Sequence, residues 1–589
     1  MILRRANSTA DPATAARLFR CCLLAALVSA SAVSASPQRR AADSRPAARG
    51  PGAQRQQPAP RAGGEVSSLS RIASNLLAEG RLEEAEAVAR RAVSVDARDA
   101  SARVLLGVVL DQRGRPDEAE REYREALRLD PQSAAAHANL GVLLARTRRE
   151  REAVESLEAA LKIAPAHPQA VFNLGALYAA AGDYGRAVPL LERAAATPAG
   201  ANDAALLLTL ADAYAHAGRG PEAAALAERV ERLAGSDPRA LFTLGLALAE
   251  ARQYERAARL FERTDALKPG TFEVLYNLGV SYYNLDRLDA ARRALRAANA
   301  LSADNPEVLY RLGLVESARG QGREALSLWL RALQLRPVFP EANFMVGEEL
   351  VNNNSVANSV QFYERAAAQD PSKLVYHLRL AVSLTRSERY PAAREALARA
   401  LERFPGNVTL HYLTGYAARA EGLYDEAIAA FERVLEVEPD NSGALTNLGF
   451  IAGQRGRSDE AERLLRRAIQ LDRDNFPAHY DLGRLLVKLQ RFDEALPILL
   501  RGVELNAADP GIHYQLFTAY TRLRRKEEAA RSLAAFRRLE DERKRTPARP
   551  GAPSADANTS ATAAGDAPAP APALPRSVTE TVKTPPPED

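Results

Sequence analysis

Three glutamates in this sequence stand 34 residues apart, and each precedes an aromatic residue by three positions. A fourth glutamate follows the last of these rings by about one helical turn. Residues three or four apart share a face of an α-helix, so each carboxylate is expected beside its ring. Such an acidic–aromatic strip suits a cation and predicts a site for a basic or amine-bearing partner segment. The strip consists of Glu273, Tyr276, Glu307, Tyr310, Glu341, Phe344 and Glu348.

The same glutamates also fit a purely structural interpretation. Pro306-Glu307 and Pro340-Glu341 resemble the first turn of a helix, where proline is tolerated and a carboxylate complements the helix dipole. The rings extend to Phe172, Phe242, Tyr412, Tyr480 and Tyr514 at the equivalent position, and such a stripe fits either a binding groove or packing between helices. Both interpretations stay open at this stage.

No motif assembles catalytic chemistry. The chain has neither a glycine-rich phosphate loop nor a nucleophile motif, and its only cysteines are Cys21 and Cys22. Five histidines fall on different predicted helices, whose axes lie too far apart for the side chains to share one metal ion. The sequence therefore predicts no enzyme activity, no cofactor and no metal site. These histidines are His137, His377, His411, His479 and His513.

A single period of 34 residues organises most of the chain. A small residue marks each unit, with one two-residue insertion before Ala223. Twelve residues earlier stands a second small residue, usually glycine, and four residues later a bulky side chain such as Tyr123 or Trp329. A fixed period of this length indicates stacked helix–turn–helix units. The marker residues are Ala85, Ala119, Ala153, Ala187, Ala223, Ala257, Ala291, Ala325, Ser359, Ala393, Ala427, Ala461, Ala495 and Ala529.

The pattern Leu140-Gly141, Ala153, Leu157, Ala160 and Pro165, repeated along the chain, resembles the tetratricopeptide repeat family. The resemblance implies an all-α fold, a right-handed superhelical solenoid of about fourteen 34-residue helix-turn-helix repeats over residues 66–543. It also implies that the first helix of each repeat lines a concave wall. The sequence departs from the family because the usual tryptophan early in the first helix is missing, and histidine takes five of those positions.

Two known binding modes of the family do not match this sequence. The carboxylate clamp needs lysines in the groove, and no lysine stands three or six residues before a small position. The asparagine ladder of sugar-transferase members is interrupted after Asn139 and Asn173. The repeat at 340–373 is the least regular, because Asn354 replaces the glycine of the turn. That change fits either a turn that is merely built differently, since asparagine tolerates left-handed geometry, or a hinge or contact loop.

The ends of the chain have a different composition from the repeats. Residues 1–35 contain arginines followed by the apolar run Cys21–Ala35, which predicts a cleaved signal peptide, with an uncleaved membrane anchor as the alternative. Residues 36–65 are rich in proline and arginine, and residues 544–589 in proline and alanine, so both are predicted to be disordered.

Charge argues against nucleic acid as a partner. Residues 1–35 hold four arginines and one aspartate, and residues 36–64 hold six arginines and one aspartate. The remainder therefore carries −3, although the whole chain carries +5. A nearly neutral solenoid lacks the basic footprint of a nucleic-acid-binding domain.

The sequence thus predicts a non-enzymatic scaffold that binds a protein or peptide segment in the concave groove, in the periplasm or outside the cell. Membrane contact is expected only through an uncleaved N-terminal segment. The alternative is a structural or assembly component of an envelope complex, which docks by its convex face or its disordered ends.

Overall fold

A computed structural model describes residues 62–545 of the chain. Within those residues the backbone forms 28 α-helices, one 3₁₀ turn and no β-strand. The helices belong to two compact units that divide after Ala303. Each unit contains fourteen helices that pack as seven consecutive antiparallel-type pairs, which we number as repeats 1–7 and 8–14. The fourteen pairs confirm the predicted all-α repeat array.

The first unit contains α1 (Ala62–Ala78), α2 (Leu82–Val95), α3 (Ala100–Gln112), α4 (Pro116–Leu129), α5 (Ala134–Arg146), α6 (Glu150–Ile163), α7 (Pro168–Ala180), α8 (Tyr184–Ala195), α9 (Ala204–His216), α10 (Gly220–Ala234), α11 (Pro238–Glu250), α12 (Tyr254–Leu267), α13 (Phe272–Asn284) and α14 (Leu288–Leu301). The two-residue insertion falls in the longer connection between α8 and α9, which includes the 3₁₀ turn Gly200–Asn202.

The second unit contains α15 (Pro306–Ala318), α16 (Gly322–Leu335), α17 (Pro340–Asn352), α18 (Val356–Gln369), α19 (Leu374–Arg386), α20 (Tyr390–Arg403), α21 (Val408–Ala420), α22 (Tyr424–Val437), α23 (Ser442–Gln454), α24 (Ser458–Leu471), α25 (Phe476–Lys488), α26 (Phe492–Leu505), α27 (Pro510–Arg522) and α28 (Lys526–Arg545). The predicted signal peptide and most of the predicted linker and tail lie outside the described residues. The ends of the helical array extend slightly into the segments predicted to be disordered, because α1 already begins at Ala62 and α28 ends at Arg545.

The two helices of a repeat meet where the periodic glycine faces a bulky side chain sixteen residues later. A Cβ atom built on Gly141 would lie 2.6 Å from Cγ of Leu157, and one built on Gly245 would lie 2.6 Å from Cε1 of Phe261. Packed atoms do not approach so closely, so these positions exclude even a methyl group. The same contact occurs at Gly107–Tyr123, Gly175–Leu191, Gly279–Leu295, Gly313–Trp329, Gly347–Tyr363, Gly415–Phe431, Gly449–Leu465 and Gly483–Leu499.

Two repeats solve the same packing problem with a pair of alanines. Ala73 in α1 and Ala211 in α9 replace the glycine, and the residues sixteen positions later are Ala89 and Ala227. All four alanines are buried. A methyl group on the first helix is therefore accompanied by a smaller side chain on the second, which keeps the helices at close approach.

We predict that Gly141→Ala lowers the free energy of unfolding by about 1–3 kcal/mol through overpacking. Leu157→Ala alone should cost about 2–5 kcal/mol through the cavity it leaves. The double variant recreates the alanine pair of repeats 1 and 5, so its loss should fall short of the sum by 1 kcal/mol or more, at about the scale of contacting residues. A double-mutant cycle in urea measures this coupling, and strictly additive losses would contradict it.

The turn between the two helices of every repeat contains one residue in the left-handed region. Seven of these residues are glycines, and the other seven pay a steric cost because their Cβ atoms crowd the backbone. Asn354 has φ 59°, so the irregular repeat 9 has the same turn geometry as its neighbours. The seven that are not glycine are Arg148, Arg252, Asp286, Asn354, Glu388, Gln490 and Arg524.

Replacing a strained turn residue with glycine should stabilise the fold. Gln490 has φ 60° and is exposed, so we expect Gln490→Gly to raise the free energy of unfolding by about 1 kcal/mol. The matched control is Gly456→Gln, which introduces the same side chain at φ 75° and should destabilise by a similar amount. Urea midpoints measure both changes. A lower midpoint for Gln490→Gly would show that the turn is not strained.

Arginine at the start of the second helix ties consecutive repeats together. Arg491 donates to Glu494 in its own helix at 2.7 Å and to Glu462 in the preceding second helix at 2.5 Å. Arg149 bridges Glu152 and Glu120 in the same way, at 2.6 and 2.8 Å. These hydrogen bonds hold the pKa of the Glu462 carboxyl below its ordinary value, chiefly through Arg491. Nine repeats have arginine here: Arg81, Arg115, Arg149, Arg219, Arg287, Arg389, Arg457, Arg491 and Arg525.

Candidate functional site

The acidic–aromatic strip is divided between the two units. In the first unit, Glu273 is exposed in the first turn of α13. Tyr276 is half-buried, and its ring stacks on Phe272 with 6.1 Å between centroids. This part of the strip therefore offers one solvent-facing carboxylate close to two rings.

In repeat 8 the carboxylate and the ring are both engaged in the fold. Glu307 accepts a hydrogen bond from Arg336 at 3.0 Å, across to the residue that follows α16. Tyr310 is buried, with its ring 5.0 Å from that of Phe339, and its backbone carbonyl accepts a hydrogen bond from Nε1 of Trp329 at 3.1 Å. The ring is a packing residue, and the glutamate already has a cationic partner.

Repeat 9 contains one exposed and one paired carboxylate. Glu341 is exposed in the first turn of α17, while Phe344 is buried between Tyr363 and Tyr376, at centroid distances of 5.8 and 5.1 Å. Glu348 accepts one hydrogen bond from the Tyr363 hydroxyl at 2.6 Å and another from Arg379, in the next repeat, at 2.7 Å. Burial raises the pKa of Glu348, and the charge of Arg379 opposes that shift.

The rest of the aromatic stripe mostly packs between neighbouring first helices. Phe172, Tyr412 and Tyr480 are buried. A Cβ atom built on Gly511 would lie 2.8 Å from the Tyr480 hydroxyl, so this ring reaches the next first helix. The geometry therefore favours the packing interpretation for most of the rings. Glu273 and Glu341 remain the exposed carboxylates of the strip, and its role as a binding site stays a prediction.

The histidines at the tryptophan position bind backbone rather than one another. A ring nitrogen of His411 lies 2.8 Å from the carbonyl oxygen of Pro405, six residues earlier, so the ring ties the start of the first helix to the preceding loop. Burial lowers the pKa of His377. Among residues 62–545 no cluster of three or more side chains is placed to hold a metal ion. The contact recurs at His137–Pro131, His377–Pro371 and His513–Ala507.

A second cluster, missed by the sequence reasoning, lies on first helices of the second unit. The guanidinium carbon of Arg419 in α21 lies 4.7 Å from the ring centroid of Phe450 in α23, and that of Arg484 in α25 lies 5.2 Å from it. Arg419 also lies over the ring of Tyr416 at 5.5 Å. Cation–π contacts of this kind hold guanidinium groups of repeats 11 and 13 against a ring of the repeat between them.

One buried carboxylate accompanies this cluster. Asp481 in α25 is 6% exposed, and its carboxylate lies 3.3 Å from the Arg484 guanidinium. Burial raises the pKa of Asp481 to about 6, although the charges of Arg484 and Arg419 oppose the shift. The carboxyl group is therefore partly protonated near pH 6, which leaves the two arginines less than fully neutralised.

The cluster has a sequence signal that could have revealed it. Arg419 stands four residues after the small residue of its repeat, and Phe450 and Arg484 stand one residue after theirs. The sequence reasoning concentrated on positions three and six residues before the small residue. Positions after it lie on the same exposed side of the first helix, because helical residues three or four apart share a face.

Sequence comparison identifies the family. Profiles described as tetratricopeptide repeat match residues 71–134, 110–168, 139–204, 310–373 and 378–444. Related profiles with the same description match 178–241, 248–310, 454–514 and 430–463. This chain belongs to the tetratricopeptide repeat family. Proteins of this family generally act as non-catalytic interaction scaffolds, so the repeats support a protein-binding role.

Solved tetratricopeptide repeat-like structures resemble the chain at low identity. The Naa15/Naa10 complex bound to HypK-THB is 17% identical, with 82% of this chain and 90% of that chain covered and a TM-score of 0.32. The Cut9-Hcn1 structure is 12% identical, with 78% and 97% covered and a TM-score of 0.30. MamA is 21% identical, with 28% and 95% covered and a TM-score of 0.26. These likenesses carry no argument about function. No curated protein sequence matches the chain.

Within residues 62–545, no helix is both long enough and apolar enough to cross a bilayer.

The raised pKa of Asp481 predicts a pH-dependent stability difference. The folded state keeps a proton between pH 3.8 and about 6 that the unfolded state has lost, so this contribution is complete at low pH and is lost as the pH rises through about 6. Asp481→Asn, which mimics the neutral acid, should match wild type near pH 4. It should exceed wild type by about 3 kcal/mol at pH 8. Urea unfolding at both pH values tests this, and an equal difference at both would contradict it.

Proposed function

We propose that this tetratricopeptide repeat protein is a non-enzymatic scaffold whose first helices hold an extended segment or a helix of a partner protein. The observation that carries the proposal is the contrast between the two helices of a repeat. Second helices pair many of their arginines with glutamates of the same or a neighbouring repeat, as at Arg491 and Arg149. First helices carry exposed charged residues such as Glu273, Glu341 and Lys488 that this bonding does not use.

The partner proposed for Glu273 and Glu341 is a basic segment. Both carboxylates are exposed in the first turn of a first helix. Glu307 and Glu348 already have arginine partners, so a basic ligand would have to exchange with those ion pairs. The exposed pair therefore provides the sharper test of the predicted strip.

The proposed compartment is the periplasm or the extracellular space. The arginines followed by an apolar run in residues 1–35 support this proposal, because they fit a secretory signal. A membrane-anchored form is the alternative if the segment is not removed.

A peptide-display selection on the full chain tests the groove. Random peptides selected on wild type are measured against Glu273→Lys with Glu341→Lys, and against Glu228→Lys with Glu432→Lys. The control residues are exposed carboxylates on the second helices α10 and α22. We expect basic peptides that lose about tenfold or more in affinity on the first-helix variant and bind the control as tightly as wild type.

Circular dichroism and urea unfolding of each variant exclude loss of fold as the cause. If both variants bind the selected peptides equally, the acidic–aromatic strip is not their site. If the only peptides recovered lose affinity on the second-helix control, binding belongs to the outer face, as in the assembly alternative.

A further inference from the structure

We infer that the first helices of repeats 10–14 form a docking surface for an acidic segment of a partner protein. This inference rests on the proposed function and specifies the ligand for a different part of the scaffold from the glutamate strip. The surface is a row of five cations, which we call the basic row. It comprises Arg386, Arg419, Arg484, Lys488 and Arg522.

The basic row arises from a segregation of charge along the chain. The residues one, four and five positions after the small residue lie on one side of each first helix. In repeats 10–14 these positions hold the five cations and no carboxylate. In repeats 1–9 the same positions hold four carboxylates, Asp111, Asp212, Glu250 and Glu348, against one arginine, Arg146, which pairs with Asp111.

Four of the five cations form no ion pair with another described residue, and the fifth, Arg484, lies 3.3 Å from the Asp481 carboxylate. Arg386, Lys488 and Arg522 are exposed at the ends of α19, α25 and α27, and none of them forms an ion pair with another described residue. Arg419 is half-buried against Phe450, and its Nε atom is buried without a hydrogen-bond partner in the described part of the chain. Eight of the nine arginines that start second helices, in contrast, form an ion pair with a glutamate.

The centre of the row is preorganised. The contacts of Arg419 and Arg484 with the ring of Phe450 fix both guanidiniums before any ligand arrives. A rigid guanidinium loses less entropy on binding a carboxylate than a mobile one, and its fork matches carboxylate geometry. Phe450 itself is only half-buried, so it adds an apolar contact beside the two cations.

The spacing of the helices sets the length of the ligand. The first helices of repeats 10–14 contact one another in order along the unit. At interaxial distances of about 10 Å, five helices span about 40 Å. An extended chain rises about 3.3 Å per residue, so a segment of about 12 residues covers the row. Successive helices are then about three residues of the segment apart, and a segment with a carboxylate at every second position places one within a residue of each helix.

An acidic peptide fits this surface better than a nucleic acid does. The chain from residue 65 onward carries a net −3, so the row is a narrow basic strip within a slightly acidic part of the chain. Glu388 and Glu421 lie in the turns next to the row. A phosphate backbone needs a broader positive surface, whereas a single peptide segment is narrow enough to avoid these carboxylates.

Fluorescence anisotropy on the full chain tests the inference. The probe is a labelled 12-residue peptide in which glutamate alternates with serine, and the comparison probes are its lysine counterpart and a 12-nucleotide single-stranded DNA. The row variant is Arg386→Glu with Lys488→Glu and Arg522→Glu, which leaves the packed Arg419 and Arg484 in place. The control is Arg399→Glu with Arg463→Glu and Arg537→Glu, exposed arginines of α20, α24 and α28 that form no ion pair among the described residues.

We expect the glutamate peptide to bind wild type and the control equally, to bind the row variant about tenfold more weakly or worse, and to weaken with salt. Equal binding to the row variant and the control, or no binding to wild type, would overturn the inference. Tighter binding of the DNA than of the peptide would assign the row to nucleic acid and overturn it as well. A wild-type dimer in sedimentation that the row variant abolishes would assign the row to a second copy of the chain, with the same consequence.

The two experiments together distinguish failure of the acidic ligand from failure of the proposed function. If display-selected peptides still depend on first-helix residues while the glutamate peptide does not bind, the scaffold proposal stands and only the acidic ligand fails. If neither ligand responds to any first-helix variant, both proposals fail.

Discussion

The close contact between a glycine of the first helix and a bulky side chain of the second, repeated along the chain, determines how the helices of each pair pack. At ten of the fourteen repeats a glycine lies against a bulky side chain of the paired helix, at a distance that leaves no room for a Cβ atom. Glycine weakens a helix by about 1 kcal/mol relative to alanine, so close packing must return more than that at each repeat. This contact sets the distance between the two helices. It also fixes which face of the first helix packs against the second, and so the direction in which the remaining side chains of the first helix point.

This contact also divides the tasks of the two helices. The second helix supplies the bulky residue, and in five repeats the arginine at its start bonds a glutamate of the preceding second helix, a set of bonds that we call the arginine ladder. The first helix turns its glycine inward, and its other side also carries exposed charged residues such as Glu273, Glu341 and Lys488. The sign of the charge there changes along the chain, because carboxylates prevail in repeats 1–9 and cations in repeats 10–14. The repeats therefore differ in the charge of their first helices even though they share one packing design.

The periodicity of the sequence was sufficient to predict the fourteen helix pairs and the small and bulky partners, because each of these depends on contacts within one repeat. The turn at Asn354, in contrast, stayed open until the structure gave it the same left-handed φ as its neighbours. The surroundings of the strip were harder to predict. Phe344 and Tyr310 lie at the expected position, yet their rings are buried. Tyr376, in the following first helix, packs on Phe344. Phe339, the residue just before the following first helix, packs on Tyr310. The partners of Glu307 and Glu348, Arg336 and Arg379, likewise lie outside their own helix. A pattern read within one helix does not reveal the side chains that neighbouring helices and connections place against it.

The arginine ladder has a consequence for how the array changes length. Arg149 and Arg491 each bond a glutamate 29 residues earlier, on the preceding second helix. If one 34-residue unit were removed or duplicated, an equivalent arginine would meet an equivalent glutamate wherever both neighbours keep the pattern. Recombination within the gene would then yield shorter or longer proteins without unmatched joints. The number of repeats is therefore open to variation, whereas the order of charges on the first helices would change with every such event.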